Sequence, residues 1–387
     1  MSHFWIQHQA GLIFFVGVLL LIALSNLRTW RRLGEYPPPL ILPPISVLVP
    51  ARNEERNIGP CVRSLLAQDY PDLELLVLDD DSSDNTGLVL AGLATDDDRL
   101  SVLKGRPIPP QWLGKHWACH QLAQAARGEL LLFVDADTRH QVNCLRDAVA
   151  ALLAEKADLL AVLPRQQVIS WPERLIVPLM PWSIFSFLPL CLAYRVRTPA
   201  LSATVGQFML FGRQAYDSIG GHFAVRFDVV DDLALGRRIK ANGMRWRLVD
   251  GRDHVGCRMY HSFREAVEGF SKSLFAVFGY NVPFFSFVWL WLWIVFTEPL
   301  LVLLLGLVGV RVPPANLLLA STAVVLSLVL WGISHWRFGF PLYLTLLYPL
   351  SIFTSVIIAM RSMLLTELGR TTWKGRRLVR RNRRRSG

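Results

Sequence analysis

Residues 128–138 read GELLLFVDADT, and this stretch decides the fold. The uninterrupted apolar run Leu130–Val134 is typical of a buried strand. The run ends directly in two carboxylates one residue apart, Asp135 and Asp137. Carboxylates are rarely left in a protein core unless they are paired or bound to a metal. This strand end therefore predicts a functional site.

Two further strands run into polar loops earlier in the chain. Residues 45–49 form a short apolar run closed by a proline, and residues 73–86 read LELLVLDDDSSDNT. Between them, residues 57–68 place apolar side chains at a helical spacing. Strands that alternate with helices predict an α/β fold with a mostly parallel sheet flanked by helices. In such sheets, ligands bind at the carboxyl ends of the strands.

Apolar residues make up 52% of the 387-residue chain, too many for an ordinary soluble protein. Four apolar runs approach or exceed the length that crosses a bilayer, at residues 11–27, 283–310, 315–334 and 340–360. We therefore expect four parts: an N-terminal transmembrane anchor (1–32), a globular domain (45–281), a C-terminal transmembrane region (282–362) and a basic cytoplasmic tail (363–387).

Positive charges next to the first apolar run indicate the orientation. Arg28, Arg31 and Arg32 follow that run, no basic segment precedes it, and there is no small-residue cleavage site, which favours a retained anchor over a signal peptide. Positive charge on this side places the globular domain in the cytoplasm. Five scattered cysteines without CxxC spacing fit the same reducing compartment. The chain is thus predicted to be a multi-pass protein of the cytoplasmic membrane.

The net charge of +11 comes mostly from the tail segment RTTWKGRRLVRRNRRRSG, residues 370–387. Because this segment directly follows an apolar run, it is more economically a membrane flank than a nucleic-acid site. Two interpretations stay open: the charges bind anionic lipid, or they only set the membrane topology. No partner among nucleic acids is predicted, and the oligomeric state is unknown from sequence.

The predicted topology contains a conflict. A cytoplasmic globular domain and a cytoplasmic tail require an even number of crossings between them, yet three apolar runs lie there. Either the run at 283–310 is in-plane or broken at Glu298-Pro299, or the last run, which contains Pro349, lies in the membrane interface. The sequence leaves both alternatives open.

An apolar segment at residues 171–196 interrupts the globular domain. A full crossing there would separate the motifs on either side of it. We therefore predict an in-plane interfacial element with Trp171 and Trp182 at the headgroup level. A buried helical pair in the protein core is the alternative.

Four motifs occur in an order and spacing that resemble the family 2 glycosyltransferases, which bind nucleotide sugars with a fold called GT-A. They are PARNEE (50–55), LDDDSSDNT (78–86), GKHWACHQLAQAARGELLLFVDAD (114–137) and VVDDLALGRRI (229–239). The resemblance covers residues 45 to about 240 and continues more weakly to 281. The anchors and residues 258–281 are similar, more narrowly, to membrane glycosyltransferases associated with carotenoid and hopanoid pathways.

The resemblance implies a role for each motif. It assigns the uridine of a UDP-sugar to five residues: Pro50, Ala51, Glu54, Asp79 and Asp80. It implies donor contacts for Lys115 and Asp135, and it makes Asp232 the general base. Asp81 departs from the family pattern, because many members have glycine there. Candidates for the diphosphate are Arg258, Tyr260 and Lys272.

Charge explains the Asp-Ala-Asp pair. A diphosphate would be repelled by Asp135 and Asp137, so a divalent cation must bridge them, and oxygen ligands suit Mg²⁺ or Mn²⁺. The bound cation stabilises the UDP leaving group. His116 and His120, four residues apart but without an HExxH motif, are interpreted as structural.

The expected activity is transfer of a single sugar. The QxxRW motif of processive synthases is absent, and one base with direct displacement implies inversion. We expect UDP-glucose as donor and a hydroxylated carotenoid or a hopanoid as lipid acceptor. Two alternatives remain: a polyprenyl-phosphate sugar transferase, which needs no base because its acceptor is already ionised, or a non-catalytic GT-A-like membrane scaffold.

Overall fold

The computed structural model describes residues 2–374 and 376–377 and divides the chain into two compact units. The α/β unit consists of Trp30–Gln167, Leu192–Met259 and the segment that begins at Thr372. The helical unit consists of Met1–Thr29, Val168–Cys191 and Tyr260–Thr371.

The strands of the described residues all belong to the α/β unit. They are β1 (Ile45–Ala51), β2 (Leu73–Asp79), β3 (Leu100–Lys104), β4 (Leu130–Val134), β5 (Thr138–His140), β6 (Leu159–Leu163), β7 (Arg165–Gln166), β8 (Phe208–Gly212), β9 (Trp246–Asp250), β10 (Val255–Cys257), β11 (Thr372–Trp373) and β12 (Arg376–Arg377).

The α-helices of the described residues belong to both units. They are α1 (Ser2–Thr29), α2 (Ile58–Leu66), α3 (Thr86–Ala94), α4 (Gly114–Ala125), α5 (Cys144–Ala154), α6 (Trp171–Ile176), α7 (Leu179–Phe187), α8 (Leu190–Ala193), α9 (Arg213–Ser218), α10 (Gly221–Ala224), α11 (Asp231–Ala241), α12 (Phe263–Val277), α13 (Val282–Leu307), α14 (Pro314–Phe338) and α15 (Tyr348–Glu367). A 3₁₀-helix, Leu342–Leu347, precedes α15.

A seven-stranded sheet with the order β3-β2-β1-β4-β8-β6-β9 forms the centre of the α/β unit. Its neighbouring strands pair in parallel except at β8, which is antiparallel to both β4 and β6. Helices cover the sheet, so strand β4 is buried along its whole length, which explains its continuous apolar sequence. The predicted α/β fold with a mostly parallel sheet flanked by helices is confirmed.

Gly128 sets the start of strand β4. Its backbone passes so close to strand β1 that an added Cβ would lie 2.5 Å from the backbone nitrogen of Ser46. The Ser46 hydroxyl also accepts a hydrogen bond from the Gly128 nitrogen at 2.8 Å. Only glycine permits this approach, which aligns β4 with β1 and so positions the carboxylates that follow it.

Four helical segments are long and apolar enough to cross a membrane: Phe4–Thr29, Val282–Leu307, Pro314–Phe338 and Leu342–Glu367. Helix α13 continues through Pro299, so the break at Glu298-Pro299 that sequence left open is not found. Gln9 of α1 donates to both carboxylate oxygens of Glu298, at 2.7 and 2.8 Å. The last apolar run does begin irregularly, with the 3₁₀-helix.

The segment predicted to be interfacial forms short helices, and α6 and α7 belong to the helical unit. Asn26 of α1 donates to the carbonyl oxygens of Phe185 and Leu188, at 2.9 and 2.7 Å. Trp171 is exposed, but Trp182 is buried and stacks on Trp331 of α14, with ring centroids 4.4 Å apart and planes at 13°. Trp182 thus packs inside the helical unit, and its position at the headgroup level stays a prediction.

Candidate active site

The predicted site residues converge at one edge of the large sheet. Strands β1, β2 and β4 are parallel neighbours, and Ala51 at the end of β1 pairs with Asp79 at the end of β2. Asp135 follows β4 directly. The carboxyl ends of the three strands therefore bring the PARNEE, DDD and DAD motifs together, as the sequence predicted.

Hydrogen bonds hold the loop after β1 against the loop after β2. The Arg52 guanidinium donates to the carbonyl oxygens of Asp80 and Asp81, at 2.5 and 2.9 Å. Asp79 accepts from the Ser82 nitrogen at 3.1 Å, and Ser82 Oγ in turn accepts from the Asn53 nitrogen at 3.0 Å. Asp79 thus stabilises the turn locally, while its neighbour Asp80 is buried.

Asp81 occupies a backbone conformation that favours glycine. Its φ is 58°, in the left-handed region that costs an L-residue roughly 1 kcal/mol. This explains in physical terms why glycine is common at this position in the family that the sequence resembles.

Glu54 and Asp80, both predicted to bind uridine, contact the basic tail. Lys374 pairs with Glu54 Oε1, and its ammonium donates to the Arg52 carbonyl oxygen at 2.8 Å. Arg376 pairs with Asp80 Oδ2. Burial raises the pKa of Asp80, although Arg376 and Arg52 act in the opposite direction. Sequence analysis missed both tail residues, since a basic run has the same pattern whichever anions it binds.

Lys115 at the start of α4 reaches the first carboxylate of the Asp-Ala-Asp pair. Its ammonium donates to Asp135 Oδ1 at 2.6 Å. Burial disfavours the charged lysine, but the carboxylates of Asp135 and Asp231 outweigh burial and hold the pKa of Lys115 well above its usual value. A permanently charged Lys115 therefore lies beside the site predicted for a diphosphate.

Asp137 is the least satisfied carboxylate of the site. Its Oδ1 is buried without a hydrogen-bond partner among the described residues. Burial, Asp135 and Glu54 raise the pKa of Asp137 to about 7, while a hydrogen bond from the Cys257 thiol acts in the opposite direction. Gln207 fixes Cys257 by donating to its sulfur at 2.9 Å. Nothing in the sequence pointed to Cys257, which is far from the DAD motif along the chain.

The residues present fit a divalent cation that the donor helps to bind. Within the part of the chain that the structure describes, no group of three or more His, Cys, Asp or Glu side chains forms a cation site on its own. Mg²⁺ and Mn²⁺ need only one or two carboxylates when phosphates supply further oxygens. The unsatisfied oxygen of Asp137 and the exposed part of Asp135 meet that requirement.

Asp231 and Asp232 begin helix α11, but their environments differ. Asp232 Oδ2 accepts from the Gly206 nitrogen at 2.8 Å, and Oδ1 accepts from the Leu233 nitrogen at 2.7 Å. Burial and the charge of Asp231 raise the pKa of Asp232 to about 6. Although burial opposes it, Lys115 and nearby histidines hold the pKa of Asp231 well below its usual value. Two neighbouring acids whose pKa values are shifted in opposite directions are typical of a site in which one acid acts as a base and the other stays charged.

Gly206 brings Asp232 and Lys115 close together. A Cβ added at Gly206 would lie 3.2 Å from Asp232 Oδ2 and 3.5 Å from the Lys115 ammonium. Both side chains therefore border the same glycine, and the predicted base and the predicted phosphate contact belong to one site.

The histidines near the site have structural partners. His116 Nε2 lies 2.7 Å from the Asp228 carbonyl oxygen, and His120 packs on the Trp112 ring, with centroids 5.0 Å apart. His222, which sequence analysis missed, has its Nδ1 2.8 Å from the Tyr216 hydroxyl and its Nε2 3.6 Å from Asp231 Oδ2.

The remaining candidates are divided between the two units. Arg258 follows Cys257 in the α/β unit, whereas Tyr260 and Lys272 belong to the helical unit, with Lys272 on α12. Their roles toward the diphosphate stay predictions.

Residues 46–234 match the Glycosyl transferase family 2 model. A 243-residue region is 29% identical to the 4,4'-diaponeurosporenoate glycosyltransferase of Staphylococcus aureus strain MRSA252, over 59% of this chain and 60% of the relative. The protein of the same name from strain USA300 is 28% identical over the same shares. The matched region thus spans about three fifths of these relatives. The chain carries a family 2 glycosyltransferase domain, and the resemblance inferred from the motifs is confirmed.

One solved structure has a similar fold over most of the chain. It is a mannosyltransferase from Pyrobaculum calidifontis in complex with GDP-Man and Mn²⁺, with a TM-score of 0.54. The likeness covers 95% of this chain and 99% of that protein at 16% identity. At this identity the likeness concerns the fold alone.

Proposed function

We propose that this chain uses its family 2 glycosyltransferase domain to transfer one sugar, with inversion, from a UDP-sugar to a lipid acceptor. UDP-glucose is the donor we favour. One observation carries the proposal: Lys115, the carboxylates Asp135 and Asp137, and a base-tuned Asp232 meet at one sheet edge. A scaffold without activity would have no need for this arrangement.

The donor would bind along the strand ends. Glu54 and Asp80 would accept hydrogen bonds from the uridine, next to the backbone of Pro50 and Ala51, and Lys115 would neutralise the diphosphate. Asp137 and Asp135 would hold Mg²⁺ or Mn²⁺, which supplies the charge that stabilises UDP as it leaves. The similar mannosyltransferase fold was solved with a nucleotide sugar and Mn²⁺.

Asp232 would act on the acceptor. Its carboxylate takes the proton from an acceptor hydroxyl, whose oxygen then bonds to the anomeric carbon as the bond from that carbon to the UDP oxygen breaks. Attack from the face opposite UDP inverts the configuration. A pKa of about 6 suits this role, because Asp232 is then mostly ionised near neutral pH yet more basic than an ordinary carboxylate.

Features of the helical unit support a lipid acceptor. An apolar cavity of about 270 Å³ lies between α6, α12 and α15, and the side chain of Arg361 is the charged group in its lining. Among the described residues Arg361 has no acidic partner, and a cation in an apolar helix is by default a candidate ligand contact. The relatives named for diaponeurosporenoate favour a carotenoid acceptor. With four apolar helices, we place the enzyme in the cytoplasmic membrane with its active site facing the cytoplasm.

The test incubates membranes that contain the protein with labelled UDP-glucose, UDP-galactose, UDP-N-acetylglucosamine or GDP-mannose, with Mg²⁺ or Mn²⁺, and then analyses the lipid extract. We expect label from UDP-glucose that is lost in Asp137→Ala. Label on an acceptor hydroxyl is alkali-stable and is also lost in Asp232→Asn, whereas label on an acceptor carboxylate is an alkali-labile ester. Retention of product by Asp137→Ala would reject the metal site.

The acceptor's chemistry decides how much Asp232 matters. A hydroxyl needs the base, whereas a carboxylate or a phosphate is already ionised. Acid-labile label that persists in Asp232→Asn would identify an ionised acceptor such as polyprenyl phosphate. An absence of label with every donor would favour the non-catalytic alternative.

A further inference from the structure

The chain's own tail occupies the acids that the proposed function assigns to uridine. The tail hairpin, defined as strands β11 and β12 at Thr372–Arg377, belongs to the α/β unit. Its Lys374 pairs with Glu54 Oε1, and its Arg376 pairs with Asp80 Oδ2. In the sequence, the first pair is separated by 320 positions and the second by 296.

The tail leaves neither carboxylate with an uncontacted oxygen. Asp80 Oδ1 lies 3.4 Å from Nη2 of Arg376, so the guanidinium spans both oxygens of that carboxylate. Glu54 Oε2 accepts a hydrogen bond from Asn57 at 2.9 Å, while Oε1 contacts Lys374. A nucleotide base that needs these acceptors must therefore displace a donor that is already present.

The Arg376 guanidinium also fills space beside the start of α4. A Cβ added to Gly114 would collide with Nη1 of Arg376 and would lie 3.1 Å from Asp80 Oδ2. Arg376 therefore occupies the space between Asp80 and the start of α4, so a base that binds Asp80 meets the guanidinium.

We propose that the tail hairpin is an autoinhibitory plug, which competes with the nucleotide donor for Glu54 and Asp80. This inference rests on the proposed function, which assigns these acids to uridine. The Asp80 side chain is only 7% exposed, so its carboxylate needs a new donor when Arg376 leaves. An N–H group of the incoming base supplies one.

The partner that withdraws the plug is an anionic lipid surface. Residues 370–387 contain arginines and a lysine but no acidic residue, so the segment has no internal anion to bind. Lys374 and Arg376 stay 29% and 28% exposed in their ion pairs, so both cations remain accessible to a competing anion. Lipid phosphates attract such polybasic segments next to a membrane.

The first experiment measures UDP affinity by calorimetry, with Mn²⁺ and the full chain in nanodiscs of neutral lipid. The double variant Lys374→Ala/Arg376→Ala is compared with wild type, and Arg370→Ala, an exposed basic residue outside the hairpin, is the matched control. If the plug leaves one fifth of the sites open, its removal lowers the Kd about fivefold. The control keeps the wild-type Kd.

Three other outcomes are distinguishable. An unchanged Kd in the double variant would overturn the plug, and a higher Kd would show that the hairpin helps to bind the donor. If UDP binds to none of the proteins, the proposed function fails, because the assignment of the acids to uridine is then wrong.

Two further measurements use the wild-type chain. UDP with Mn²⁺ should speed tryptic cleavage after Lys374 and Arg376, which mass spectrometry detects. Equal or slower cleavage would contradict competition between the tail hairpin and UDP. Nanodiscs rich in phosphatidylglycerol should lower the wild-type Kd toward that of the double variant. An unchanged Kd there would reject anionic lipid as the releasing partner.

Discussion

Asp137 illustrates, at the scale of one residue, how a binding site weakens the protein that carries it. Its pKa is raised to about 7 in the folded protein. Protonated Asp137 therefore stabilises the fold fully below about pH 4, and this contribution to the free energy of unfolding is lost as pH rises through 7. At pH 8 without metal, Asp137→Asn should therefore increase the free energy of unfolding by about 1–3 kcal/mol. Thermal unfolding in detergent at pH 8 measures this difference.

Two conditions serve as controls for the Asp137→Asn experiment: a lower pH and added metal. Near pH 4 the wild type and Asp137→Asn should unfold at similar temperatures, because the wild-type carboxyl is then neutral too. Mn²⁺ with UDP should stabilise the wild type at pH 8 but not the variant. A variant that is less stable at pH 8 would contradict the assignment of Asp137 as an unsatisfied carboxylate.

The pKa of Asp232 predicts how the rate of sugar transfer to a hydroxyl depends on pH. The base must be ionised, so kcat/KM, which follows the free enzyme, should rise with pH through about 6 and then level off. Because the charge of Asp231 raises the pKa of Asp232, Asp231→Asn should move the midpoint to lower pH. Transfer rates measured from about pH 5 to 8 test both statements. Asp232→Asn should lower the transfer rate about 10²–10⁴-fold.

A rate that is flat across this range would point to an acceptor that needs no base. A midpoint that stays near 6 in Asp231→Asn would mean that burial alone sets the pKa of Asp232. Either result would be informative, but only the first bears on the chemistry of the acceptor.

At the scale of helices, the contact between α1 and α13 depends on one acid. Glu298 lies within an apolar helix and accepts two hydrogen bonds from Gln9. Gln9→Leu should destabilise the helical unit by about 0.5–2 kcal/mol, because the carboxylate loses its principal donor while staying among apolar side chains. Unfolding in detergent measures the loss.

Glu298→Gln is the matched control for this pair, since an amide oxygen still accepts from Gln9 without a charge. We expect it to cost less than Gln9→Leu. If both variants unfold like the wild type, the hydrogen bonds contribute nothing to the packing of α1 on α13.

Sequence predicted the strands that carry the site because their signals are local. A buried parallel strand such as β4 needs an unbroken apolar run, and the acids at its end stand out against that run. The α/β pattern predicted a mostly parallel sheet whose strands end at one edge, so the convergence of Glu54, Asp80 and Asp135 was predictable, whereas the strand order β2-β1-β4 came from the structure.

Contacts between distant segments were not predictable. Cys257 meets Asp137 only because β10 pairs with β5, and the pairing of such short strands leaves no periodic signal. The tail's basic run is compatible with lipid, nucleic acid or carboxylates alike. The stack of Trp182 on Trp331 was not predictable either, because the two residues lie far apart along the chain.

At the scale of the whole chain, the tail hairpin bears on membrane topology. If Lys374 binds Glu54 in the membrane as it does in the structure, both lie on the same side, and the chain between them crosses an even number of times. One of the three apolar segments after residue 281 would then not cross. A cysteine placed at Ser83 in the donor loop and one at Ser386 should react with an impermeant maleimide in the same vesicle orientation.

The labelling experiment needs a variant without the native cysteines, so that only the engineered positions react. Cys191 is replaced first, because it is a free and exposed cysteine. Labelling of the two engineered positions from opposite sides would contradict the contacts between the tail and Glu54 or Asp80.

The stacked pair Trp182 and Trp331 gives the helical unit an optical signature. Two indoles 4.4 Å apart and nearly parallel couple their electronic transitions, so the pair should contribute a circular dichroism signal that isolated tryptophans lack. The difference between wild-type and Trp182→Phe spectra isolates that contribution from the other indoles. The chain thus contains its own chromophore for following how α7 packs on α14, in detergent or in lipid, without an attached dye.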